Sequence, residues 1–262
     1  MRPHVELLLG QPWSAASVLP EVVRRLRDRG VRVAVRRRPE PRALRTADLV
    51  VLPALAPAQL EAVRWLDGAG WRCCNTWAAT WRARHKGECE RALAAAAVPR
   101  PATRELARWP EVLAAARDRR VVVKPLAGRN GRGVLDGDEL PARAPFLGPY
   151  LVQERVEHDG TDRKLFVVGD EVRGVLRPWP CETPAAKRGR PFSPEPELCE
   201  LARRAGAALA LELFGVDVLV GPDGPVVVDV NAFPGYKGVA DAPLLLAVHL
   251  ARRAREGAPC GR

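Results

Sequence analysis

The chain has 262 residues, 47% hydrophobic and 28% charged, enough to fold around its own core and too rich in apolar residues for a disordered chain. No stretch approaches ~18 uninterrupted apolar residues, which excludes a membrane-spanning helix. The segment Met1–Leu19, where Glu6 cuts the Val5–Leu9 run, is too interrupted for a secretory signal. The net charge of +11 points to an anionic partner, but the excess is spread along the chain, which favours a nucleotide or small anion over nucleic acid.

His4–Leu9 reads as a buried strand, Ser17–Arg29 as an amphipathic helix ending near Gly30, Val31–Val35 and Asp48–Leu52 as strands, Pro57–Leu66 as a helix and Trp71–Cys74 as a short strand. This alternation predicts a small parallel sheet covered by helices. A GxGxxG loop is missing after the first strand, against a dinucleotide site there. Helices are predicted over Lys86–Ala97 and Pro110–Arg119, then a strand Val121–Pro125, a Gly-rich loop Leu126–Val134 and a strand Tyr150–Val156. Lys164–Val168 and Glu171–Leu176 form a hairpin across Gly169-Asp170, and residues 179–196, with five prolines, read as a loop. Glu197–Leu213 is a helix, Gly215–Val220 and Pro225–Val230 a second hairpin, and Ala242–Glu256 the last helix. Cysteines at 73, 74, 89, 181, 199 and 260 form no CxxC, show no zinc-type spacing and suit a reducing, cytoplasmic setting.

Only five lysines occur, Lys86, Lys124, Lys164, Lys187 and Lys237, among 42 basic residues. In so Arg-rich a chain, a retained Lys marks a place where a compact ammonium suits better than a planar guanidinium. Lys124, at the end of a strand and followed by Gly128, Gly131 and Gly133, suits phosphate binding by charge and exposed backbone N–H groups; a hairpin turn with a solvated lysine reads the same way. The loop lacks the Gly-Lys-Ser/Thr ending of a Walker loop. Asp229 and Asn231 share a strand face, and the hairpin brings Asp217 across from them. Three oxygen-bearing groups among valines suit Mg²⁺, with Mn²⁺ an alternative. Gln153, Glu154 and Val156 end a strand. Arg84, Lys86, Lys164 and Arg177, with His158 and Asp162, form a candidate basic patch, and Lys164 and Arg177 are its candidate catalytic cations.

In this order, Lys86 before a helix, Lys124 with its Gly-rich loop, YLVQERV, DRKLFVVGD, FGVDVLV and VVVDVNAFPG resemble the ATP-grasp superfamily, on its RimK/glutathione-synthetase-like branch, over about residues 72–250. The resemblance implies an α/β (α+β) ATP-grasp fold: an N-terminal domain over 1–78, a central lid subdomain over 79–155 and a C-terminal subdomain over 156–262. It implies that Lys86 and Lys124 contact ATP phosphates under residues 128–133, Asn130 among them. Gln153, Glu154 and Val156 would line the adenine pocket and Asp162 the ribose side, while Asp217, Asp229 and Asn231 would hold one or two Mg²⁺. Two reactions remain open. The loop GRNGRGV and CNTWAATWRARHK, with Asn75, are similar to RimK-like ligases, which join a carboxylate to an amine through an acyl phosphate. VQERVEHDGTDRKLFVVGD and DVNAFPGYKGV are similar to inositol trisphosphate kinases, with Lys164, Arg177 and Lys237 toward substrate phosphates. The kinase-type loop His is absent, and residues 1–75 contain no Lys. The ligase is the leading expectation, with a small anionic acceptor and no membrane partner.

Overall fold

Apolar runs at the N-terminus build the first sheet. The computed structural model describes residues 2–53, 55–68, 70–126, 133–179, 181, 183 and 185–256. Strand β1 (His4–Leu8) is buried throughout, as a central parallel strand must be. Helix α1 (Leu19–Asp28) buries Leu19, Val22, Val23 and Leu26, and Gly30 turns the chain at φ +74 just past its end. Then come β2 (Arg32–Arg36), α2 (Pro41–Leu44), β3 (Leu49–Val51), α3 (Pro57–Glu61), α4 (Trp65–Gly68) and β4 (Cys73–Cys74). The sheet is parallel, in the order β2-β1-β3-β4. The single helix expected over Pro57–Leu66 is two short ones. Between them Val63, Arg64 and Leu66 bond to carbonyls three residues back, and the Trp65 indole takes the Ala62 carbonyl at 3.1 Å.

Helix α5 (Trp77–Arg84), which the sequence reading left unassigned, starts at Thr76, whose side chain accepts from Ala79 N at 3.1 Å. The expected division after residue 78 falls in its first turn. After α6 (Lys86–Ala95), strand β5 (Thr103–Leu106), helix α7 (Trp109–Asp118), β6 (Val121–Pro125), β7 (Leu135–Asp136) and β8 (Tyr150–Glu154) form the second unit. Its sheet runs β5-β8-β6-β7, all antiparallel, over a core of Trp109, Val112, Val121, Val123, Tyr150 and Val152.

The third sheet, β11-β10-β9-β12-β13, is also antiparallel. It is made by β9 (Thr161–Val168), β10 (Glu171–Pro178), β11 (Arg190–Phe192), β12 (Leu213–Gly221) and β13 (Gly224–Ala232). Strand β11 lies in the segment expected as a loop, and β9 begins at Thr161, so Lys164 is mid-strand and not at a strand start. Helix α8 (Pro196–Leu209) stops four residues short of the expected end. There Ala210 turns left-handed at φ 55, and Leu211 N bonds back to Gly206 O at 2.9 Å, freeing Leu213 for β12. One face of this sheet packs with α5, α6 and α8. Through Phe166, Val168 and Val175 the other joins the N-terminal sheet, α1 and α9 (Ala242–Arg255) in one core. Among the described residues no helix is long and apolar enough to cross a membrane.

Candidate active site

Strands β12 and β13 set Asp217 directly opposite Asp229, and the register slips by one just beyond this pair, where Val218 faces Val227. Val228 is the extra residue of a β-bulge. The bulge resets the alternation: Val227 and Val230 both enter the core, while Asp229 and Asn231 turn to the opposite face. On that face Asn231 Nδ2 lies 3.0 Å from Asp229 Oδ2 and 3.3 Å from Asp217 Oδ2. Strand β9 adds Lys164, whose ammonium donates to Asp217 Oδ2 at 2.7 Å, and β10 adds Arg177, 2.5 Å from Asp217 Oδ1 and 2.9 Å from Asp162 Oδ2.

From the other sheet comes Lys124. Its ammonium donates to Gln153 Oε1 at 2.7 Å and, across to the third sheet, to the carbonyl of Val228 at 3.0 Å. Lys86, the first residue of α6, pairs with Asp229 Oδ1. The two lysines and the carboxylate cluster therefore share one crevice between the sheets.

Its electrostatics follow from this packing. Burial opposes the Lys86 ammonium, but Asp229 outweighs it and holds the group above the usual lysine value. Burial pulls Lys124 below that value, although Asp229 draws it the other way. Burial also works against the Asp229 carboxylate, yet Lys86, Lys124 and Lys164 together keep it well below the usual carboxylate range. Asp162 goes the other way: burial, then Asp217, pushes it up to about 7 against Arg177 and Lys164. Asp162 Oδ1 and Arg177 Nε are buried without a hydrogen-bond partner, capacity of the kind a polar ligand fills.

The other expected positions divide. Gly133 (φ +77) folds back over Pro125, which a Cβ there would meet at 3.3 Å. Gly128, Asn130 and Gly131 lie outside the described residues. Gln153 is buried, with Nε2 on Thr103 at 3.2 Å and Glu90 at 3.4 Å. Glu154 pairs with Arg119, and Glu154 and Val156 line a cavity of about 610 Å³ with Arg119, Arg120, Arg155 and His158. Asp162 shares Arg177 with Asp217. The basic patch does not form as a unit. Arg84 donates to Leu55 O at 2.5 Å, and His158 accepts from Gly160 N within its own loop. Glu90 and Thr103 were missed: both bond to Gln153, Glu90 also acts on Lys124 by its charge, and no local pattern marks them.

Hard oxygen donors on a shared face fit Mg²⁺; the Asn231 amide, whose nitrogen now meets both carboxylates, would turn its oxygen to the ion.

Residues 83–252 match a family model described as a RimK-like ATP-grasp domain. A relative from Escherichia coli O1:K1 / APEC, ribosomal protein bS6--L-glutamate ligase, is 33% identical over 133 residues, 45% of this chain and 44% of that protein. The chain spans about half the length of the curated relatives it matches. A RimK domain protein ATP-grasp from Sphaerobacter thermophilus DSM 20745 superposes with TM-score 0.72 at 20% identity, covering 96% of this chain and 99% of that one. The ATP-grasp ligase PsnB, complexed with minimal precursor, Mg and ADP, gives TM-score 0.70 at 19% identity over 96% and 97%.

Proposed function

Since the chain belongs to the RimK-like ATP-grasp family, which residues 83–252 match, we propose that it is a magnesium- and ATP-dependent carboxylate–amine ligase working through an acyl phosphate. The observation that carries this reading is the crevice in which Lys124 reaches the Val228 carbonyl and Lys86 pairs with Asp229. Ammonium groups from one wall face carboxylates from the other, as a bound metal–triphosphate requires.

Lys86 and Lys124 hold phosphate oxygens, Lys86 exchanging Asp229 for the nucleotide. Gln153, Glu154 and Val156 border the adenine, and Gly133 lies on the phosphate side. Asp217, Asp229 and Asn231 hold Mg²⁺, which supplies charge neutralisation on the phosphates. Lys164 and Arg177 orient the acceptor carboxylate and offset charge on the transferred group. Because Asp162 shares the Arg177 guanidinium with Asp217, we assign it to the acceptor end rather than to the ribose.

In the first step an acceptor carboxylate oxygen bonds to the γ-phosphorus and ADP leaves; in the second an amine attacks the acyl carbon and phosphate leaves. A carboxylate needs no base to become a nucleophile, and His158 is occupied in its own loop. The sequence alone suggested a small anionic acceptor. The names of the relatives, a ribosomal-protein glutamate ligase and a ligase bound to a precursor, support a carboxyl group carried on a peptide or protein as well. The test supplies ATP, Mg²⁺ and candidate carboxylates with hydroxylamine. A trapped hydroxamate is expected; a stable phosphate ester would replace this reading with a kinase.

A further inference from the structure

Away from the crevice, three side chains from distant parts of the chain converge beneath the last helix. Cys74 ends β4, Glu212 directly precedes β12, and His249 lies in α9. Cys74 Sγ lies 3.9 Å from His249 Nε2, and the same nitrogen lies 3.1 Å from Glu212 Oε2. One ligand atom from each lies within 4.8 Å of the others. We propose that Cys74, Glu212 and His249 form a second metal site that takes a zinc-type divalent ion.

The geometry separates this from a nucleophilic triad. A base between a thiol and a carboxylate uses one ring nitrogen for each, whereas here both partners face Nε2. Three donors turned toward a common point suit a central ion, at about 2.3 Å from sulfur and about 2.0 Å from nitrogen. Cys74 and His249 are also buried, out of reach of a substrate. The mixed sulfur, nitrogen and oxygen set favours zinc over magnesium, and it shares no residue with the oxygen cluster at Asp217.

The surroundings hold each donor in place. Arg253 grips the Glu212 carboxylate, Nε at 2.7 Å from Oε2 and Nη2 at 3.0 Å from Oε1. Asn75 Oδ1 accepts from the backbone N of Glu212 and Leu213 at 2.8 and 2.9 Å. Gly169, in the β9–β10 turn, leaves room for the imidazole: a Cβ there would stand 2.6 Å from His249 Nδ1. On loading, the Cys74 thiol gives its proton to solvent and a sulfur–metal bond forms. Thiolate and carboxylate then offset the two charges of the ion, and the Arg253 guanidinium leaves a net charge of +1 that the nearby Glu256 carboxylate offsets. Such an ion ties the N-terminal sheet to β12 and α9, a bracing role and not a catalytic one.

The test uses the full chain, stripped with a chelator and titrated with Co²⁺ as a spectroscopic probe. With excess Mg²⁺ keeping the oxygen cluster filled, one equivalent should bind with a thiolate-to-cobalt charge-transfer band, Cys74→Ser should lose that band, and Zn²⁺ should displace the cobalt. Glu212→Gln, an isosteric change at a half-buried position checked for folding by circular dichroism, should weaken Co²⁺ binding roughly 10-fold or more. Cobalt bound without the band, a band that persists in Cys74→Ser, or no binding at micromolar metal would each overturn the proposal. None of these readouts involves ATP or ligation, so a failed ligase assay leaves them untouched.

Discussion

Lys124 donates its ammonium proton to the main-chain carbonyl of Val228, 3.0 Å away in a different sheet. That carbonyl belongs to the bulged residue of β13, which has no cross-strand partner of its own. The irregularity that turns Asp229 toward the crevice therefore also provides the contact through which the central sheet meets the third sheet. Replacing Lys124 by Met keeps the length and removes the charge. Titration calorimetry should show Mg–ATP affinity falling at least ~10-fold, the scale of one lost charge-assisted contact. Lys124→Arg should rescue little, because a planar guanidinium does not fit an ammonium's place between Gln153 and Val228. Unchanged affinity in Lys124→Met would remove this residue from the phosphate site.

Asp229→Ala should abolish turnover, by on the order of 10²-fold or more, while circular dichroism keeps the folded signature and the melting temperature falls, because Lys86 loses the partner that offsets its burial. The side chain faces the crevice and not the core, since Val227 and Val230 take the core positions of β13. ADP release at the wild-type rate would refute the metal assignment.

Lys164→Ala should raise the acceptor KM more than the ATP KM. Lys164 is buried on Asp217 in the middle of β9, in a different sheet from Lys124 and Gln153. A steady-state matrix of both substrates measures this directly; an effect confined to ATP would move Lys164 to the nucleotide side.

Asn75→Ala tests architecture instead of chemistry. The buried amide donates to Leu213 O at 2.7 Å and accepts from Glu212 N and Leu213 N. Truncation strands two N–H groups in the interior, at about 1–3 kcal/mol for each group left unmade, while Leu213 O keeps the Phe233 N–H at 2.8 Å. Denaturant unfolding should show a loss of roughly 2–5 kcal/mol, less if water enters. A loss under about 1 kcal/mol would mean that these groups find other partners.

Asp162 predicts a pH dependence. Its ordinary value is 3.8, and in the fold it is pushed up to about 7, chiefly by burial and then by Asp217. Between those values the native chain holds a proton that the unfolded chain has released, so stability falls as pH rises. The contribution is complete below about 3.8 and lost as pH passes through about 7. Asp162→Asn cannot titrate. The stability of the wild type relative to this variant, measured by denaturant unfolding without metal, should therefore decline from about pH 4 to about pH 7. A flat difference would contradict the shift.

Much of this protein is legible in its linear order, because local physics writes it there. Continuous apolar runs marked β1 and β6, turn residues between apolar segments marked the β9–β10 and β12–β13 hairpins, helical spacing marked α1 and α8, and the scarcity of lysine drew attention to Lys86, Lys124 and Lys164. Other features depend on contacts that no local window contains. The bulge at Val228 exists only in the pairing of two strands, Arg177 joins Asp162 to Asp217 only once β9, β10 and β12 lie side by side, and α5 is defined by its packing rather than by a clean apolar stripe. Cys74 and His249 stand 175 residues apart, so the spacing rules that found no zinc site could not register them. Backbone propensity and patterning act over a few residues, whereas convergence of side chains from separate elements is decided by how finished sheets and helices pack.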